Sequence, residues 1–590
     1  MQNKKEWIPV FLQSIAFVGL VFFFLSQYYP YVGMDYKYFI PRLIDSDLHY
    51  RINGLSVQWY TPSFGGGLPS YPNPQQIQFS LPQLLTLFID PWLASITSIG
   101  IFILLGMVGT FTLTRKILML DPWSAALAAS FFVVNGFYLQ HMGIGHLTFM
   151  AFPLLPFVII GLLRKGGAYF NGILLAIVFA VLLYGGGFYP IVYFVFSTLL
   201  TLPLIYLFFP MLLDISSLGK NIGWGLLLTA MLIASKLSAV LFFLGNFPRV
   251  LSDEFNTTLL QSLKSILYQL MGSMTFAPLG YLAGKSPKYT WELLMNATGS
   301  SLASWELDIS LSPVLFLFLL AGVMLLVWMV FTKKIKLTTI QIISLVVLSI
   351  FFELTIEFIT AKGWFYATLS QLPILRSLHV NPRYTAVLIL PLAIGGGLSA
   401  NAILKRFIIS DKAKLFTWIA STLLIFVFVG VYIALPMDTL QKRQFYVDGS
   451  LEIYQKAVLG ETYPILNIQD DLNDARVFDQ NSSTLTPYEV LFGYEMNEFK
   501  PALEVGSVYS VADNTYNLND PTGFVFGEAN GAKPFDRIKT TDGENLDLFV
   551  HRMQPNWKLP LIQHLANFLS VFAVVLIFFS LLAGFFYRRK

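Results

Sequence analysis

The sequence predicts a polytopic α-helical membrane protein of about 12 spans, with a small exported β-rich domain before the last span. Three observations lead there. Only 12% of the 590 residues are charged, about half the ~25% of a soluble domain, which is too few to solvate a surface of this size. The apolar residues, 55% of the chain, come in blocks of about 20, the length that crosses a hydrocarbon core. The Lys and Arg residues gather in short clusters beside those blocks, where cytoplasmic loops carry them.

The first span is expected near 8–27, behind the basic start MQNKKEW and without a small-residue cleavage site, so it reads as an uncleaved helix. The others are expected near 93–113, 123–140, 146–163, 168–187, 189–212, 222–245, 311–331, 338–357, 383–402, 415–435 and 566–587. Lys4 and Lys5, Arg115 and Lys116, Arg164 and Lys165, Lys333 to Lys336, Lys405 to Lys414, and Arg588 to Lys590 then fall on one side if both termini are cytoplasmic. This divides the chain into a transmembrane module, 1–435, with exported loops 28–92, 246–310 and 358–382; an exported domain, 436–565; and a final span with a basic tail, 566–590. Segment 77–90 is apolar but short and contains Pro82, so it reads as an interfacial or re-entrant helix. Surface-lying helices are expected in 246–310, for example around 257–271. Residues 436–565 carry 19 acidic and 10 basic residues. There, RQFYV, GSVYSV, TGFVFG and LDLFVHRM alternate with Asn/Asp/Gly turns and read as strands.

With no cysteine in the chain, disulfides, thiolate metal sites and cysteine nucleophiles are excluded. A net charge of +4, placed mostly at span ends, is no nucleic-acid footprint. Candidate chemistry lies in the exported loops. Asp35 in GMDYKYFIP follows the first span, either as a helix cap or as a general base at the lipid boundary. Asp45-Ser46-Asp47 is a D-x-D triplet, either a hydrated turn or an oxygen-ligand site for a divalent metal such as Mg²⁺ or Mn²⁺. The loop QWYTPSFGGGLPSYPNPQ, 58–75, is stiffened by prolines, and GGG at 65–67 allows close backbone approach to a ligand. His146, near His141, suits a substrate hydroxyl or proton transfer. Arg249, Arg376 and Arg383, with His379 between the last two, either neutralise a phosphate or snorkel to headgroups. Lys236 lies inside an apolar span, where a charge normally faces a cavity or a carboxylate, with Glu353 and Glu357 as candidate partners.

Asp35 in GMDYKYFIP, the 58–75 loop, the Gly145-His146 pair and RSLHVNPRY together resemble the GT-C superfamily of membrane glycosyltransferases, and more closely its YfhO-like bacterial branch. The resemblance covers most of 1–400 in layout and rests on short motifs. It implies a sugar donor on a polyprenyl phosphate, a catalytic acid at Asp35, and a glycan, lipid or protein acceptor on the outer face of a bacterial inner membrane. It implies substrate contacts for His146, Arg249, Arg376, His379, Arg383 and Lys236, and inversion at the sugar carbon. Two other classes stand beside it: a secondary transporter, with Lys236 on a polar pathway, and a non-catalytic assembly protein for envelope polymers. In an enzyme, Asp35, His146 and the arginines should line one cavity.

Overall fold

The computed structural model describes residues 4–27, 29–246, 259–285, 288–299, 302–332, 337–372, 375, 378, 380–408, 410–434, 445–460, 467–469, 475–489 and 503–587. Among them nine helices are long and apolar enough to cross a membrane: Lys5–Ser26, Pro91–Ile117, Phe188–Phe208, Ile215–Asn246, Pro313–Thr332, Thr339–Thr360, Asn381–Phe407, Asp411–Ile433 and Leu561–Phe586. Three shorter apolar helices, Pro122–Val133, Leu147–Leu163 and Ala168–Tyr184, occupy the third, fourth and fifth expected positions. The chain is a multi-pass membrane protein.

The short third helix corrects the expected span 123–140. Asn135 adopts an extended conformation and its side-chain oxygen accepts from the Tyr138 N–H at 2.8 Å, capping a new helix, Gly136–Ile144. The break lets Asn135 pair with Leu311, and Gly136 N–H donate to the Ser310 carbonyl at 2.6 Å. A buried turn is thereby tied to the chain just before the 313–332 helix.

The bundle has two chemically distinct ends. At one end, Glu6 binds Arg115 at 3.0 Å and Lys116 at 3.2 Å, so two of the basic clusters meet. At the other end the first long helix gives way to Tyr31–Val32, which pairs antiparallel with Phe445–Tyr446 of the C-terminal segment. Next comes a helix, Tyr36–Asn53, buried along most of its length. The apolar stretch 77–90 forms a five-residue helix, Leu81–Leu85, capped by Ser80. Segment 246–310 holds the helix Leu259–Leu282, kinked at Gly272, and the helix Lys288–Thr298.

The C-terminal segment is β-rich but mixed. One three-stranded sheet joins Ser482–Thr484, Asn467–Gln469 and Gly506–Ser507, and another joins Arg537–Lys539, Thr515–Asn519 and Val511–Ala512. Two expected strands are helical instead. LDLFVHRM belongs largely to the helix Gly543–Val550, which places Leu546, Phe549 and Val550 on one buried face. TGFVFG begins within a 3₁₀ turn, Pro521–Phe524, capped by Asp520. Spacings of three and four are helical neighbours, so the apolar residues served a helix period there and not an alternating one.

Candidate functional site

Asp35 is placed by interlocked backbones. The strand leading to it lies against the 143–146 turn so closely that a Cβ on Gly33 would stand 2.3 Å from the Gly143 carbonyl oxygen. Gly145 has φ +97 and ends the 136–144 helix, and a Cβ there would meet the Tyr36 nitrogen at 2.5 Å. In this tight contact the Asp35 N–H donates to the Ile144 carbonyl at 2.9 Å, and the Tyr36 hydroxyl donates to the Met142 carbonyl at 2.8 Å. The neighbouring side chains, Asp35 and His146, then meet directly: His146 Nε2 contacts Asp35 Oδ2. Two glycines distant in sequence thus bring an acid and an imidazole together.

Asp35 Oδ1 accepts a second hydrogen bond, at 2.8 Å, from the Tyr488 hydroxyl of the C-terminal segment. Burial pushes the Asp35 carboxyl up, but His146, Tyr488 and the Arg383 charge outweigh it and hold it below its ordinary value of 3.8. Asp35 is therefore a carboxylate at neutral pH. It starts the 36–53 helix without a side-chain capping bond, so its oxygens are turned away from the helix end.

Asp35, His146, Arg383, Glu306 and Tyr488 line one cavity of about 390 Å³. Its apolar wall includes Leu237, Val240, Leu241 and Leu244 of the Ile215–Asn246 helix. Leu241 is 53% exposed on the bundle surface, so this wall reaches the side that faces lipid. Arg383 enters from the start of the Asn381–Phe407 span. Its fork engages both carboxylate oxygens of Glu306, and its guanidinium lies 5.2 Å from the ring centres of Phe149 and Tyr189.

The other expected site residues divide into several groups. Arg249, Arg376 and His379 lie outside the described residues. Lys236 is buried, but its partners are neither Glu353 nor Glu357. Its ammonium donates to the carbonyls of Tyr71, Asn73 and Gln76 at 2.6, 2.8 and 3.3 Å, clamping the Pro-rich loop from beneath. Glu353 is exposed on its helix, and Glu357 accepts from the Tyr366 N–H at 2.9 Å. The 65–67 glycines meet protein and not an open cavity. Gly66 N–H donates to Ser483 Oγ at 3.0 Å, and the Gly65 and Gly66 carbonyls accept from Asn519 at 2.8 Å each.

Asp45 and Asp47 do not converge. They are two positions apart on a helix and face different directions. Asp45 accepts from Gln58 Nε2 at 2.6 Å and Ser63 Oγ at 2.7 Å, and pairs with Arg552. Asp47 pairs with Arg51 at 2.8 Å. Among the described residues no three metal-ligating side chains cluster. The donor set does not fit a shared divalent ion at this pair.

Sequence reasoning missed Glu306 and Tyr488. Glu306 carried a usable signal, since WELD places two acids just before the 313–332 helix, as GMD places one just after the first. Tyr488 carried none, because nothing local in the C-terminal segment points to a site 453 residues earlier.

No family model matches the sequence, and a search of curated proteins finds no match. Among solved structures, the cryo-EM structure of the arabinofuranosyltransferase AftD from Mycobacteria is similar at 13% identity and a TM-score of 0.43, over 79% of this chain and 29% of that one. The chain thus spans less than a third of that protein's length. At this level the likeness carries no inference about activity.

Proposed function

We propose that this protein is a membrane glycosyltransferase that moves a sugar from a polyprenyl-phosphate donor to an acceptor hydroxyl at the outer face of a bacterial inner membrane. The observation that carries the reading is the single cavity in which an ionised Asp35, His146 and Arg383 stand opposite an apolar wall. A lipid-borne sugar needs this combination: a greasy approach for the carrier, a base for the acceptor and a cation for the departing phosphate.

In this mechanism the donor lies with its chain along the Leu237–Leu244 side and its sugar beside Asp35. The acceptor oxygen bonds to the anomeric carbon as the bond from that carbon to the phosphate oxygen breaks. The acceptor proton passes to Asp35, and the lipid phosphate leaves with the bonding electrons. One base and in-line displacement give inversion. His146 holds the carboxylate in place. Arg383 is bound to Glu306, so the leaving phosphate must share or displace Glu306 to reach the guanidinium.

The transporter reading is less well supported, because Lys236 is sealed beneath loop carbonyls and does not line the cavity that holds Asp35. The test is direct. Membranes containing the chain are incubated with radiolabelled polyprenyl-phosphoryl hexoses and pentoses, and release of polyprenyl phosphate is followed. Wild-type release that disappears in Asp35→Asn supports the reading, and equal release by both removes Asp35 from the chemistry.

A further inference from the structure

We propose that Tyr488, carried by the C-terminal segment, is a positioning residue that fixes and aims the Asp35 carboxylate, so that this segment and the membrane helices form one composite site. The inference deepens the reading above and rests on it for the role of Asp35.

The Asp35 carboxylate has two oxygens, each able to accept two hydrogen bonds. His146 takes a place on Oδ2 and the Tyr488 hydroxyl takes one on Oδ1, at 2.8 Å. Two donors on different oxygens stop the carboxylate rotating. Each oxygen keeps a lone pair for an incoming hydroxyl, so the two contacts orient the base without consuming it. A donor to the charged form also favours ionisation, in line with the lowered Asp35 value.

The backbone that carries the phenol is tied down. The Tyr488 carbonyl accepts from Arg42 Nη2 at 3.3 Å, and the next residue, Glu489, pairs with the same nitrogen at 3.1 Å. Asn73 donates to Glu489 at 3.2 Å. Arg42 is itself pressed over the Tyr38 ring, 3.6 Å from its centre. Upstream, the Thr484 N–H donates to the Ser63 carbonyl at 3.2 Å, joining this stretch to the Pro-rich loop. The Lys37 ammonium sits 4.3 Å above the Tyr488 ring. A positive charge over the ring makes the phenol a better donor. A surface tyrosine that met Asp35 by accident would not sit in a buried Arg–Glu–Asn bracket.

Among the described residues, the titratable and charged groups around Asp35 are His146 with His141 behind it, Arg383 with Glu306, Lys37 and Tyr488. Of these groups Tyr488 is the one from the C-terminal segment, so its contribution can be isolated. The probe is dicyclohexylcarbodiimide, a lipophilic reagent that captures protonated carboxyls. It is applied to the full chain in nanodiscs across pH, and modification at Asp35 is read by peptide mass spectrometry. Asp35→Asn gives the blank. Tyr488→Phe keeps the ring and deletes the hydroxyl, and the labelling midpoint should rise by roughly one pH unit. Difluorotyrosine at 488, a stronger donor that needs no deletion, should lower the midpoint. Midpoints that stay fixed in both variants overturn the proposal. The measurement needs no sugar substrate. A failed transfer assay with a shifted midpoint therefore counts against the glycosyltransferase reading and in favour of the Tyr488 contact.

Discussion

Helix 36–53 carries acids in two settings, one beside a cavity and one closed off inside the protein. Asp35, at its start, faces a cavity with an imidazole and a phenol on its oxygens. Asp45 and Asp47, about three turns further on, are sealed in protein, 1% and 0% exposed. Asp45 bonds to Arg552 of the C-terminal segment and to two polar groups of the Pro-rich loop, so it fastens three parts of the chain together. Asp47 pairs four residues along its own helix, with an arginine that is 38% exposed. A carboxylate is suited to catalysis where a substrate can reach it, and to structure where it is closed off inside the protein.

This contrast can be broken by substitution. The largest effect is expected at Asp35: Asp35→Asn should lower sugar transfer by about 10²–10⁴-fold while membrane insertion and thermal unfolding stay near wild type. Asp45→Asn should do the reverse. It strands the Arg552 charge against a neutral amide, and a buried pair broken in this way typically costs ~3–5 kcal/mol. Scanning calorimetry should show the loss, and limited proteolysis should cut the C-terminal segment sooner. If Asp45→Asn proved as stable as wild type and catalytically dead, the division of labour drawn here would be wrong.

Glu306→Gln sharpens the comparison at the far wall of the cavity. It frees the Arg383 fork, and donor binding should tighten by about tenfold, the size of one charge-assisted contact, visible as a lower donor KM. Asp47→Asn should be the mildest change, within about 1 kcal/mol, because a half-solvated pair contributes little. The pH dependence follows from the sign of the Asp35 shift. Its carboxyl titrates below 3.8 when folded, so the base stays ionised above that value and is lost only as pH falls through it. Transfer should show no acid limb from this group until pH drops below 3.8, and a limb near neutrality abolished by Asp35→Asn would refute the lowered value.

Much of the helix layout was legible because bilayer thickness is a hard length constraint, and every apolar block of about 20 residues records it. The error at 123–140 has the same root: apolar content cannot reveal that Asn135 caps a second helix in the middle of a block. Asp35 and His146 were legible as types in a plausible compartment, but their contact depends on Gly33 and Gly145 fitting backbone to backbone. Lys236 was expected to face a cavity or a carboxylate. The partners are main-chain carbonyls, which any sequence can supply and none advertises.

The sequence by itself determined that this chain lives in a membrane, where most of its long helices lie, and that an acid waits where the first span ends. Those properties follow from local hydropathy and length, which each segment carries alone. Only the tertiary structure decided which acids face a cavity, which cations are already engaged, and that a tyrosine 453 positions away donates to Asp35. Such contacts join surfaces remote in the chain, and their energy depends on shape and distance that no single stretch encodes.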